Sequence, residues 1–322
     1  MQPMFARGPD GGGGGGGADL VIGLVNNTPP AALRATEAQF AGLLRAAARG
    51  RRIRLRCFAA GAVADPHYEG LDALWRSRLD GLIVTGAEPQ AAAMTQEPAW
   101  PLLARLTDWA AANTDAAIWS CLAAHAAVFR LDGLARRRLP RKLSGVFACA
   151  RAADHALVAD APTHWPVPHS RHNDLDAAAL QAAGYLILSR GPGTTDADGA
   201  DSFEKPAGRS LFLMLQGHPE YAADTLLQEY RRDVRRFLTG RRVDWPPSPE
   251  GYFDAATGAA LTDLQARAAG RPVTELLAAL DEIAKAPAPY WQPAAVRLYA
   301  GWLADLAARQ AGHAPASRRA AS

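Results

Sequence analysis

The chain has little of what several common architectures depend on. Its 322 residues contain three cysteines, at 57, 121 and 149, with no Cys-x-x-Cys pair. That scarcity argues against a disulfide framework and a zinc knuckle, and makes a reducing cytoplasm the expected home. No apolar run approaches the length that spans a bilayer. Residues 1–18 hold seven consecutive glycines, 11–17, and lack the apolar stretch of a signal peptide, so they are expected to form a tail. The formal net charge of +3 is too small to imply a nucleic-acid partner. Lysine is scarce as well, at 142, 205 and 285 only, the remaining cationic side chains being arginine. A lysine at a special place therefore stands out.

What is present reads as a globular protein with a large core, 49% hydrophobic and 21% charged. Asp19 to Asn26, Ile53 to Ala59, Asp80 to Gly86 and Ala116 to Trp119 are short apolar or alternating runs with the character of strands. Between them, helices are expected at 31–48, 71–78 and 100–112, and another from Leu122 onward. That β-α alternation predicts an α/β fold, a flavodoxin-like parallel sheet with helices on both faces. Ligands of such sheets bind beyond the carboxyl ends of the strands, here Asn26–Thr28, Thr85–Glu88 and Ser120–Cys121.

The second half is less regular. Strands are expected at 142–147, 155–158, 185–189 and 211–215, with a polar, turn-rich segment at 166–174 and a helix over 224–238. The stretch 241–290 is Pro-rich and then helical, and 294–308 is an amphipathic helix. The expected organisation is thus an α/β domain at 19–240, a C-terminal helical extension packing on it at 241–312, and a tail at 313–322.

Cys121 stands where an apolar strand breaks directly into a run of helix formers. A turn residue there projects from the sheet edge beside the unpaired N–H groups of the helix, which favour a thiolate and can hold an oxyanion. A thiolate needs a base, and His218 also follows a predicted strand. Glu220, two residues on, can fix its tautomer and stabilise its charged form. Cys57 is assigned no role. His164, His169 and His172 lie close together but lack regular helical spacing and a cysteine, so no metal site is expected. Arg136, Arg137, Arg138 and Arg141 read as a solvated turn, with a seat for CoA phosphates as the functional alternative.

Several blocks, in this order, carry a resemblance: Asp80-Gly81-Leu82-Ile83-Val84-Thr85-Gly86-Ala87, the elbow at Cys121, Lys142-Leu143-Ser144-Gly145-Val146, Pro168-His169-Ser170-Arg171, Gly217-His218-Pro219-Glu220-Tyr221 and Arg231-Arg232-Asp233-Val234. Over roughly 21–238 the chain resembles the homoserine O-acyltransferases of the homoserine O-succinyltransferase type, related in fold to class I glutamine amidotransferases. The resemblance implies a ping-pong transfer of succinyl or acetyl from an acyl-CoA through a thioester on Cys121 to the hydroxyl of homoserine, a step of methionine biosynthesis. It also implies His218 as base and Glu220 as its orienter. The backbone N–H groups of Leu122 and Ala87 would form the oxyanion hole. Lys142 and Ser170 would line the substrate pocket, and Arg232 would hold the amino acid's carboxylate. No bound cofactor or metal is implied; the co-substrate is succinyl-CoA or acetyl-CoA, the partners are small molecules, and a homodimer is compatible.

Three departures from the family pattern stand out. Leu122 replaces the usual Trp after the nucleophile. Gln90 occupies the position associated with acyl choice, where Gly or Glu is common, and Glu88-Pro89 replaces the usual Pro. The acyl donor and the exact hydroxy amino acid therefore stay open. Two other readings share parts of the pattern. A glutamine amidotransferase has the same elbow and His-Pro-Glu, but the Gly-x-Cys-x-Gly surround is absent here. A non-catalytic ligand-binding relative is the third.

Overall fold

The structure is a computed structural model, described here for residues 20–61, 65–193 and 199–313. The tail expected at 1–18 falls outside the described residues, as does the one expected at 313–322 apart from its first residue, which ends the last helix. The first half alternates as its apolar periodicity predicts: β1 (Leu20–Asn26), α1 (Leu33–Ala47), β2 (Ile53–Ala59), β3 (Tyr68–Glu69), α2 (Leu71–Trp75), β4 (Gly81–Val84), α3 (Trp100–Asn113), β5 (Ala116–Ser120) and α4 (Leu122–Asp132). The second half runs β6 (Arg137–Arg151), β7 (His164–Asp174), α5 (Ala177–Ala182), β8 (Leu186–Gly191), β9 (Gly199–Ala207), β10 (Ser210–Leu215), α6 (Thr225–Leu238), α7 (Ala255–Ala266), α8 (Val273–Ile283) and α9 (Gln292–His313).

Among the described residues the strands form one sheet in the order β3-β2-β1-β4-β5-β10-β9-β8-β6-β7. From β3 to β10 every pairing is parallel; from β10 onward every pairing is antiparallel. The parallel part is buried on both faces, as crossover helices require. Leu20, Ile22, Leu24, Ile118 and Leu213 face α1 and α9, with Tyr299 and Trp302 packed into the same core. Val25, Val84, Trp119, Phe212 and Met214 face α3 and α4.

Two expectations for the second half are overturned. Residues 156–158 form a short 3-10 turn, not a strand. The stretch 166–174, expected to be turn-rich, lies within β7. Pro166 and Pro168 sit opposite Ala148 and Val146 on this outermost strand. An edge strand tolerates proline because one row of its N–H groups has no ladder partner to lose. The 241–290 stretch yields α7 and α8, whose Leu261, Leu264, Leu276 and Leu280 cover Tyr230 and Val234 of α6. No helix among the described residues is long and apolar enough to cross a membrane.

Candidate active site

β5 and β10 pair in parallel, Ser120 opposite Leu215, so their carboxyl ends reach the rim together. Cys121 is the next residue on one side, and Gln216-Gly217-His218 continues the other. The Cys121 N–H donates to Leu215 O at 2.8 Å, extending the ladder by one bond into the turn. The backbone then turns sharply, with Cys121 at φ +51° and ψ −113°. That conformation is strained for a residue bearing a Cβ and is the geometry of a nucleophile elbow. α4 begins at once, and the Leu122 N–H is one of its opening donors with no intrahelical acceptor.

Gly86, just past β4, packs directly on this turn. A Cβ there would stand 2.8 Å from Ser120 O and 2.9 Å from Leu122 N, so only glycine permits the approach. Gly86 thereby lies against both the Leu122 nitrogen and the Cys121 side chain, to whose Cβ the same added atom would stand 3.2 Å away.

His218 is held by its backbone, whose N–H donates to Pro168 O at 2.7 Å, and by its ring. Nδ1 lies 2.8 Å from Glu220 Oε1, and the ring stacks on Tyr221 at 4.3 Å between centroids. With Nδ1 committed to Glu220, Nε2 is the nitrogen left to face the Cys121 thiol, which is near enough to the ring to raise its pKa. Burial works against a charged imidazole, but Glu220 and Cys121 outweigh it and hold the His218 pKa well above the ordinary value. Cys121, His218 and Glu220 are all buried, at 9%, 8% and 7% exposure, which keeps water sparse around the sulfur.

A second group of polar side chains adjoins this one. Lys142 emerges where the β6–β7 register shifts, and its Nζ lies 3.3 Å from Glu229 Oε2 and 3.1 Å from Asp233 Oδ2. Ser170 Oγ donates to Glu229, and Tyr221 OH donates to Glu229 Oε1 at 2.7 Å. Burial raises the Glu229 pKa, yet Lys142, Ser170 and Tyr221 together bring it below the usual carboxylate range. Asp233 is likewise lowered despite its burial, by Lys142 and Arg232. Tyr221 joins the two groups, its ring on His218 and its hydroxyl on Glu229.

Cys121, His218 and Glu220 thus meet, and Lys142 and Ser170 meet at Glu229. Arg232 lies at the margin, its Nε 3.4 Å from Asp233 Oδ1 and its side chain substantially exposed. Gln90 is exposed, and its backbone N–H donates to the Glu97 carboxylate. Among the described residues no hydrogen bond or ion pair joins it to Cys121, Lys142 or Ser170. Sequence reasoning missed Glu229, Tyr221, Asp233 and Glu88, which pairs with Arg236 at 2.8 Å. One signal was there: 229, 232, 233 and 236 share a helix face by their spacing.

Arg136 is no part of a solvated turn. Its side chain is buried against Glu97 at 2.5 Å, where it also donates to Ala91 O and so pins the loop after β4. Arg137 pairs at the surface with Asp176.

Among the described residues one group has donors close enough to suggest a metal: Cys149, His169 and Asp201 lie with ligand atoms within 4.8 Å of one another. Arg171 Nε donates to His169 Nδ1 at 3.3 Å, and Asp201 Oδ1 lies 3.3 Å from His169 Nε2. Arginine cannot accept, so Nδ1 holds the lone pair and Nε2 holds the proton that Asp201 accepts. A neutral imidazole so engaged has no lone pair left for a cation. The cluster is a hydrogen-bonded core network.

A family model described as homoserine O-succinyltransferase matches residues 16–311. A homoserine O-succinyltransferase of Rhodopseudomonas palustris is 48% identical over 297 residues, 89% of this chain and 88% of that protein. One of Bradyrhizobium japonicum is 44% identical over 299 residues, 90% of each chain. Among solved structures, a glutamine amidotransferase from Methylobacillus flagellatus superposes with a TM-score of 0.51 at 14% identity, covering 89% of this chain and 94% of its own. At that identity the likeness speaks for the fold.

Proposed function

The chain belongs to the homoserine O-succinyltransferase family, and on that premise we propose that Cys121 carries an acyl group from an acyl-CoA to the hydroxyl of homoserine. One observation carries the assignment to these residues: a cysteine on a positive-φ elbow ending β5, beside the end of the paired β10, whose following histidine has its Nδ1 bound to a buried carboxylate.

His218 takes the thiol proton, and the thiolate attacks the carbonyl carbon of the acyl-CoA thioester. The carbonyl oxygen becomes an oxyanion beside the Leu122 N–H and the 86–87 backbone, with the N–H of Ala87 as second donor. The carbon–sulfur bond to CoA then breaks, and the CoA sulfur leaves with the proton from His218. Homoserine enters next. His218 removes its hydroxyl proton as the oxygen attacks the Cys121 thioester; the second tetrahedral intermediate collapses, and the Cys121 sulfur is released. Glu220 keeps Nδ1 protonated through both half-reactions, so Nε2 is the nitrogen that exchanges the proton.

The amino acid brings one cation and one anion. Glu229, ionised and half-buried, is suited to the ammonium, while the exposed guanidinium of Arg232 suits the carboxylate. Lys142 and Ser170 hold Glu229 in place. Succinyl-CoA is the leading donor. Gln90 is tied to Glu97 by its backbone, so any influence on acyl choice passes through the shape of the 86–97 loop.

Intact-protein mass spectrometry tests the reading. Incubation with succinyl-CoA should add one succinyl group, which homoserine should remove. Cys121→Ser should not form the thioester. Ammonia release from glutamine, without any acyl adduct, would instead favour amidotransferase chemistry.

A further inference from the structure

Two buried side chains outside the catalytic set link its halves. His125 lies one helical turn beyond Cys121 on α4, and its N–H donates to the Cys121 carbonyl at 3.2 Å. Gln216 stands two residues before His218, directly after β10. His125 Nε2 lies 2.9 Å from Gln216 Oε1, joining positions 91 residues apart.

The direction of this bond follows from the rest of Gln216. Its amide nitrogen donates to Ala200 O at 2.6 Å and to Asp174 Oδ1 at 3.1 Å, so its oxygen is the atom facing His125 and must accept. His125 therefore carries its proton on Nε2. Its Nδ1 is buried without a partner among the described residues. Burial pushes the His125 pKa down to about 4, with the Gln216 bond opposing and Arg171 and Arg136 adding to the fall. The ring is thus neutral and takes no part in proton transfer. An unpaired buried acceptor is destabilising, so a leucine here would be the cheaper way to fill the core.

The Gln216 end has no slack. Its own N–H donates to Asp201 O at 2.8 Å, and Asp174 is held by Arg171 Nη1 at 2.8 Å. A Cβ on Gly217 would stand 2.5 Å from Val167 Cγ1, 2.8 Å from Asp201 Oδ1 and 3.0 Å from His169 Nε2. The Gln216–His218 segment is therefore seated tightly on β7 and β9. The Cys121 elbow hangs from α4 on the other side.

We propose that His125 and Gln216 are positioning residues whose hydrogen bond sets the separation between the Cys121 sulfur and the His218 imidazole. The proposal rests on the reading of those two groups as nucleophile and base. Proton transfer requires the sulfur and the ring nitrogen to be within hydrogen-bonding distance, and a displacement near 1 Å costs on the order of 100-fold in rate. A side chain that ties the two elements one turn from the sulfur governs that distance.

The test compares His125→Leu, which removes the bond, with His125→Gln, whose side-chain amide can donate to Gln216 Oε1. The pH dependence of Cys121 alkylation by iodoacetamide is followed by peptide mass, since it needs no acyl transfer; kcat and KM are measured alongside. His125→Leu should lower kcat roughly 10–100-fold, leave both KM values within about twofold of wild type, and shift the alkylation profile to higher pH. His125→Gln should recover most of the loss. His125→Asn, polar but too short to span to Gln216, serves if the leucine variant does not fold. Wild-type alkylation and turnover in the bond-breaking variant would overturn the proposal. So would a fall in kcat with an unmoved alkylation profile, the mark of a purely structural role. If the wild type forms no acyl adduct while the alkylation shift is still seen, the acyltransferase reading fails and the positioning role stands.

Discussion

Glu220→Gln isolates the charge of the carboxylate with little change of shape. Oε1 lies 2.8 Å from His218 Nδ1 in a buried site, so it makes a charge-assisted bond whenever the imidazole is protonated. Such bonds contribute about 1.5–3 kcal/mol, and neutral ones about 0.5–1.5. Replacing one by the other withdraws about 1–2 kcal/mol from the imidazolium, hence from the thiolate–imidazolium pair and from each transition state in which His218 holds the proton. At 1.36 kcal/mol per tenfold, kcat should fall at least about 5–30-fold. A larger loss follows if the new amide turns its NH2 toward Nδ1 and inverts the tautomer. Cys121 alkylation near neutrality should slow in step, because less thiolate is present.

The same residue governs stability in a definite pH window. The His218 pKa is raised in the folded state, so its contribution is complete below the unfolded value of about 6.5 and disappears as pH rises through the folded value. Thermal melts should therefore show the Glu220→Gln deficit below about pH 6.5, narrowing toward alkaline pH. An alkylation profile and kcat identical to wild type would refute the reasoning, since the carboxylate would then not stabilise the charged ring.

Gly86→Ala should lower kcat about 100–1000-fold, the usual effect of losing an oxyanion donor, because its Cβ would meet Ser120 O at 2.8 Å and Leu122 N at 2.9 Å. Steady-state kinetics with a melting curve showing a folded protein would check it; near-normal turnover would mean that the oxyanion lies elsewhere. Lys142→Met takes a cation from the half-buried Glu229 and from Asp233, which keeps Arg232 and Arg236, and should cost about 1–3 kcal/mol in denaturant unfolding at neutral pH. Both acids have lowered folded pKa values, so the stability they bring in wild type is present above about pH 4 and lost on acidification. The gap between variant and wild type should accordingly close as pH falls through that range, and a gap constant with pH would contradict the pairing.

Legibility in the sequence followed the range of the forces involved. The β1–α1–β2 and β4–α3–β5–α4 order was readable because period-2 and period-3.6 burial is written in neighbouring residues, and so was the elbow, where β5 passes into α4 within one residue. The same local view failed at 166–174. Its prolines and polar residues read as turns, and only pairing with β6 at the sheet edge makes that stretch a strand. Arg136 looked like a solvated cation for the same reason, since Glu97 reaches it only through the packing of its loop against α4.

The sequence by itself marked the candidates for the chemistry: one cysteine at a strand–helix break, one histidine after a strand with a carboxylate two residues on, and family blocks in order. Their separations were decided by tertiary structure. The parallel pairing of β5 with β10 brings position 121 beside 218, the β6–β7 ladder carries Lys142 and Ser170 toward α6, and the acidic pocket of Glu229 and the His125–Gln216 link exist only once these elements pack. Side-chain chemistry is inherited residue by residue, whereas distance and desolvation arise from contacts between remote segments, and those two quantities set every pKa shift and every positioning argument made for this site.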